Sequence, residues 1–167
     1  ADWICSVADS HKYRILMGTG KLNQYDSVMK RFADNGVDTE KYDDITISEY
    51  IYNMDVAMNA ADLVISRAGA STLAELTAIG KPAILVPSPY VTDNHQEHNA
   101  RAIERGGGAA VIPEAELSAK SIDAAVSDIV SSKTKLVEMG TNSAKMGVPD
   151  SADRICKEVL RLIDKNK

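Results

Sequence analysis

Three features of this 167-residue sequence predict an α/β domain built on a doubly wound parallel sheet. Short apolar runs rich in Ile, Val and Leu recur along the chain, and segments with helical apolar spacing separate them. Glycine or small-residue turns stand at the junctions between the two kinds of segment. Aromatic residues make up only 5% of the chain against 44% hydrophobic residues, so the core must be packed from aliphatic side chains. Length and apolar content together suit one domain of ordinary size.

The elements follow in order. Residues 1–9 read as the later part of an amphipathic helix, with Trp3, Ile4 and Val7 apolar. No capping residue stands far enough upstream to start it, so the chain is expected to begin inside an element. Tyr13-Arg14-Ile15-Leu16-Met17 is the first strand, ended by Gly18-Thr19-Gly20. Residues 22–35 place Tyr25, Val28, Met29 and Phe32 at helical spacing, and Gly36 ends that helix. Gly18-Thr19-Gly20-Lys21 is no phosphate loop, because it lacks the spacer and the hydroxyl residue after the lysine. Residues 44–48 form a strand and 55–60 a short helix. Leu63-Val64-Ile65 reads as a buried parallel strand, followed by the turn Arg67-Ala68-Gly69-Ala70-Ser71 and a helix over 72–79. Gly80 stops that helix and Pro82 forbids its return. Residues 83–86 give the next strand, residues 87–92 a stiff loop with two prolines, and 93–105 a helix. Gly106-Gly107-Gly108 leaves that helix and enters the last strand, 109–112, so it is a turn. The remainder is helical over 118–131, 133–145 and 151–165, broken at Gly147-Val148-Pro149.

Composition excludes several functions. The net charge is −5 and lysine and arginine do not cluster, which argues against a nucleic-acid surface or a polybasic membrane patch. Cys5 and Cys156 form no CxxC and read as reduced thiols of a cytosolic protein. No apolar run approaches the ~18 residues of a membrane span, and the first residues are no signal peptide.

In a doubly wound sheet ligands bind at the carboxyl ends of the strands. Residues 48–54, 66–72 and 87–96 should therefore meet at one edge. A strand that feeds a small-residue turn into a helix start builds an anion site from unpaired amides and the helix dipole. The same letters allow a second reading, in which Thr72 and Glu75 form a capping box and nothing more. Spacing alone leaves both open. The run from Asp93 to Asn99 is dense in hydrogen-bonding groups, with 92, 95, 96 and 99 at neighbouring helical positions. Amides beside an imidazole suit sugar hydroxyls, which both donate and accept. The alternatives are an exposed polar turn capped by Asp93, or a metal site, which His95, Glu97 and His98 lack the HExxH spacing to build. Ser71 lacks the second glycine of GxSxG, and no catalytic base can be named.

The combination of Tyr50-Ile51-x-x-Met54, Ser66-Arg67-Ala68-Gly69-Ala70-Ser71-Thr72-Leu73-Ala74-Glu75-Leu76, Gly80-Lys81-Pro82 and Thr92-Asp93-Asn94-His95-Gln96 with Asn99 closely resembles the C-terminal domain of the MurG family. The resemblance runs from about residue 13 to the C-terminus. Those enzymes transfer N-acetylglucosamine from UDP-N-acetylglucosamine to lipid I, making lipid II at the cytoplasmic face of the bacterial inner membrane. The resemblance implies the donor-binding, Rossmann-like half of a GT-B fold. It implies that Ile51 meets uracil through its backbone, that Ala70, Ser71, Thr72, Leu73 and Ala74 lie along the diphosphate, and that Gly69 belongs to the substrate-binding set. Glu75 would take the ribose hydroxyls. His95 and Gln96, with Asp93 and Asn99 beside them, would take the sugar, and Arg67 belongs to the same set. No tightly bound cofactor is implied, and Mg or another divalent cation would at most stimulate. The family's donor domain opens with a strand and a glycine-rich loop, and its acceptor domain precedes that. Neither is in this sequence, so a fragment of a longer enzyme is expected, lacking its first strand and incompetent alone. The gap would fall between the Tyr13 and Leu63 strands, leaving a hole or inviting a second copy of the chain. Two other readings stay open: the catalytic subunit of a dolichol-linked N-acetylglucosamine transferase, and a non-catalytic nucleotide-sugar binding module.

Overall fold

The computed structural model describes residues 1–20 and 24–165. Strands and helices alternate along it as the apolar spacing predicts. Helix α1 (Asp2–Val7) buries Trp3 and Ile4 and leads to β1 (Ile15–Gly18). Then come α2 (Gln24–Asp34), β2 (Ile45–Ser48) and α3 (Met54–Ala60). The central unit is β3 (Val64–Ser66), α4 (Ala70–Ala78) and β4 (Ala83–Leu85). It continues through α5 (His95–Arg105) to β5 (Ala109–Val111). Helices α6 (Ala119–Val130), α7 (Lys133–Met146) and α8 (Ser151–Lys165) complete the chain. The predicted Lys21 turn position and the first residues of the 22–35 helix lie outside the described residues.

All strand pairs are parallel, but they fall into two sheets. β1 pairs with β2 from Ile15↔Ile45 to Gly18↔Ser48. β3, β4 and β5 form the second sheet in that order. Among the described residues no ladder joins β1 to β3, so each has one edge without a strand partner. The break falls where the resemblance placed an absent strand. Leu16 on β1 and Ile65 on β3 are correspondingly exposed, at 47% and 38%.

Packing, not hydrogen bonding, holds the two sheets in one body. Ile15, Met17, Ile45 and Ile47 of the first sheet share a core with Ile84, Val86 and Ile112 of the second. Trp3, Ile4, Phe32, Val126, Ile129 and Met139 cover that face from α1, α2, α6 and α7. The opposite face of the second sheet packs Ala83, Leu85 and Ala109 under Met58, Leu73, Leu76 and Ala100. Ile84 and Leu85, neighbours on β4, are both fully buried because successive strand residues point to opposite covered faces. The Trp3 indole donates to Asp123 at 3.1 Å, which ties α1 to α6.

Gly80 ends α4 with φ +63 and lies against α7, where a Cβ would stand 3.0 Å from Ala144 Cβ and 3.1 Å from Gly140 O. Any other residue there strains the backbone and pushes α4 away from α7. Helix α8 is different in kind. None of its residues is buried, and Ile155, Val159, Leu160 and Ile163 all remain exposed along its apolar side. Among the described residues no helix is long and apolar enough to cross a membrane.

Candidate functional site

The site begins where β3 turns into α4. The helix starts at Ala70, two residues earlier than the sequence predicts, with Gly69 at the cap position. Thr72 is therefore inside the first turn, and the capping box expected as the alternative is not formed. Glu75 makes no bond back to Thr72, and no side chain caps the helix. Leu73 is the first residue whose amide closes the helix, onto Gly69 O at 3.0 Å. The amides of Ala70, Ser71 and Thr72 consequently have no partner among the described residues. Gly69 presents open space where a side chain would stand, with nothing within 4 Å of an ideal Cβ. Unpaired donors, the positive end of the helix dipole and an unobstructed approach together make a seat for an anion.

The predicted residues separate into those that face outward and those that do not. Ser71 is exposed, and the side chains of Ser71, Thr72 and Glu75 lie at helical spacings of three and four on one side. Ala74 and Glu75 are also exposed, and the Glu75 carboxylate has no hydrogen bond or ion pair among the described residues. Leu73 departs from the expectation. It is buried at 7% in the second core and its amide is already bonded, so it anchors the turn instead of facing a ligand.

Arg67 extends across the carboxyl ends of the second sheet. Its Nη1 donates to Val86 O at 3.3 Å and pairs with Glu114, just beyond β5. That hydrogen bond holds the Glu114 carboxyl below the usual carboxylate range. Glu114 escaped sequence reasoning, since no local pattern links two residues so far apart in the chain.

Beside α4, the loop after β4 delivers the polar start of α5. Asp93 and Asn94 have positive φ values of 53 and 49. The left-handed region costs about 1 kcal/mol for each, least for Asn and Asp, and such strain collects where a ligand is held. Asn94, not Asp93, stands at the cap position, and neither side chain caps the helix. The His95 Nδ1–H donates to Thr92 O at 2.8 Å, which leaves Nε2 free. Gln96 Oε1 accepts from the Ser88 amide at 3.0 Å, so its NH2 is the part left to donate. An acceptor and a donor on adjacent residues match a hydroxyl group's two roles. Asn99 is half-buried one turn further on. Glu97 is engaged with Arg101 at 2.7 Å, and among the described residues no group of three or more His, Cys, Asp or Glu could hold a metal ion.

Ile51 belongs to the other sheet. It follows β2, packs its side chain against Gly18, and neither its N–H nor its C=O is hydrogen-bonded among the described residues. Tyr50 and Tyr52 flank it, their rings edge to face with centroids 5.0 Å apart. With Tyr25, Ile47, Ser48 and Glu49 they line an open concavity of about 410 Å³. In a chain this poor in aromatics, two exposed tyrosines around one residue were a signal that helical spacing could not supply.

The sequence of the whole unit matches a known domain. The profile described as the glycosyltransferase family 28 C-terminal domain covers residues 4–155. The chain belongs to that family. It is 42% identical over 164 residues to the UDP-N-acetylglucosamine–N-acetylmuramyl-(pentapeptide) pyrophosphoryl-undecaprenol N-acetylglucosamine transferase of Desulforamulus reducens. Relatives of the same name from Acetivibrio thermocellus and Listeria monocytogenes are 43% and 42% identical over 155 residues. The alignments take in 98%, 93% and 93% of this chain but only 44%, 40% and 41% of the relatives. The family 28 chain thus spans less than half the length of these curated relatives. Its fold is that of Acinetobacter baumannii MurG, with a TM-score of 0.71 at 20% identity over 95% of this chain and 48% of that one. A glycotransferase of kitacinnamycin has the same fold at a TM-score of 0.62, over 93% of this chain and 38% of that one.

Proposed function

We propose that this domain binds the donor of an inverting N-acetylglucosaminyltransferase, holding UDP-N-acetylglucosamine for transfer to lipid I to give lipid II. The observation that carries the reading is the uncapped start of α4, with the Ala70, Ser71 and Thr72 amides unpaired. The diphosphate rests on those amides with Arg67 beside it. Glu75 accepts from the ribose hydroxyls, which needs an ordinary ionised carboxylate and no shifted pKa. The uracil lies at Ile51, whose free backbone N–H and C=O match an amide-like base edge, beside the tyrosine-lined concavity. His95 and Gln96 hold the sugar hydroxyls, with Asp93 and Asn99 at hand.

In the transfer, an acceptor hydroxyl oxygen attacks the anomeric carbon and gives up its proton to solvent or to an unassigned base, while the bond to the diphosphate oxygen breaks. The electron pair leaves with UDP, and amides already aimed at that oxygen stabilise the charge as it develops. We assign no catalytic base to this chain. A divalent cation would at most stimulate, by screening the departing diphosphate. The acceptor binds through polypeptide outside this sequence, at the cytoplasmic face of the bacterial inner membrane. The open edges of β1 and β3 take a strand from that polypeptide or, in its absence, from a second copy. The names of the relatives favour this over the dolichol-linked reading.

Calorimetry on the intact protein tests the proposal with UDP, UDP-N-acetylglucosamine and UDP-glucose. Binding that requires the diphosphate and prefers the N-acetylated sugar is the expected result. Affinity indifferent to uridine overturns it in favour of another kind of module.

A further inference from the structure

Arg67 and Glu114 come from the ends of different strands of one sheet, and β4 lies between them. A single guanidinium nitrogen, Nη1, serves both Val86 O and the Glu114 carboxylate. The Nε–H and the Nη2 hydrogens make no bond among the described residues. These are the two parallel donors with which arginine grips a phosphate. The side chain is half exposed, at 51%, yet it is tethered at its tip by a carboxylate and by the carbonyl of buried Val86, just past β4. An untethered arginine must give up rotamer freedom to grip a ligand, and the tether reduces that cost beforehand.

We propose that Glu114 is a positioning residue for the donor diphosphate: it pins Arg67 by Nη1 so that the Nε–Nη2 edge stands ready for phosphate oxygens. This rests on the reading of the α4 start as a diphosphate seat.

A carboxylate near an anion site carries an opposite expectation, which makes the sign of the effect decisive. If Glu114 only places negative charge near the diphosphate, removing it tightens binding, because like charges repel. If it positions Arg67, removing it weakens binding. What positioning requires is a hydrogen-bond acceptor at that point, not a charge. Calorimetry with UDP and with uridine on the intact protein separates the two. Glu114→Ala should weaken UDP about tenfold and leave uridine unchanged, and Glu114→Gln should return UDP affinity to within about threefold of the starting value. In an Arg67→Ala background, Glu114→Ala should add no further loss. Should Glu114→Ala lower the melting midpoint by more than about 4 °C, Glu114→Asp, with its acceptor withdrawn by one methylene, replaces it and carries the same expected loss. Tighter UDP binding by both Glu114→Ala and Glu114→Gln, unchanged binding in Glu114→Ala, or a loss that persists without Arg67 overturns the assignment. If the unmutated protein binds UDP no better than uridine, the diphosphate seat itself fails and this inference falls with it.

Discussion

Gly69→Asp should make this domain more stable and a worse nucleotide binder at once. Gly69 stands at the cap of α4 in the extended region, φ −67 and ψ 143, which any residue adopts. An ideal Cβ there meets nothing within 4 Å, so an aspartate enters without strain. Its carboxylate would accept from the free amides of Ser71 or Thr72. Replacing a glycine cap by aspartate gains a few tenths of a kcal/mol, and a negative charge at a helix start adds about 0.3–1 kcal/mol. A total near 0.5–1 kcal/mol raises the melting midpoint of a domain this size by roughly 1–4 °C. The same carboxylate would stand about 4 Å from a bound diphosphate, where like charges near a protein surface repel by about 4 kcal/mol before salt screening. Even half of that weakens UDP by roughly 30-fold. Thermal melting and calorimetry on one preparation read both effects. Unchanged UDP affinity, or a loss of stability in place of a gain, refutes the claim that these amides are free and that the nucleotide's charge needs them.

Glu75→Ala should leave the melting midpoint within about 2 °C, because an exposed carboxylate without a partner contributes little. UDP affinity should fall roughly 30-fold if the carboxylate accepts from the ribose, and a large melting shift with intact affinity would restore a capping role to it. Ser118→Ala is the converse control. Ser118 and Ser121 form a reciprocal capping box at the start of α6, so its loss should cost about 1 kcal/mol, or roughly 2–4 °C, with UDP binding untouched. In acid, the Asp2–Arg31 and Glu114–Arg67 pairs should weaken. Hydrogen bonds from arginine depress both carboxyls in the folded state, so their stabilisation is full above the unfolded carboxylate range and is lost as pH falls through the depressed values. Melting from pH 6 down to pH 2 should show Asp2→Asn and Glu114→Gln losing less than the unmutated protein. The difference should shrink in high salt, since both pairs are substantially exposed.

Element types were legible in the sequence because aliphatic spacing changes cleanly between strands and helices. Gly36, Gly80 and Gly107, all with positive φ, sit at ends that the letters marked as turns. Boundaries were less legible. Thr72 and Glu75 offered a local capping box, yet α4 begins at Ala70, where Ala68 is fully buried and Leu73 turns into the core. Tertiary packing outweighed the local cap. The start of α5 moved the other way, since Asp93 and Asn94 adopt left-handed backbone, which their residue types tolerate but do not dictate. The Arg67–Glu114 pair was invisible for a simpler reason: parallel topology brought its members together. The division of the strands between two sheets was expected only through the family resemblance, since no local pattern in the residues marks it.

That division sets how the binding loops keep their alignment. The Ile51 loop and the α4 turn sit on pieces of β-structure with no common ladder, so their spacing is relayed through apolar side chains beneath them. Phe32 and Ile84, each completely enclosed, act as the keystones of that relay. Trimming either one would let the base-holding and phosphate-holding halves drift apart, and the injury would register as slackened grip on the nucleotide far from the residue that was cut.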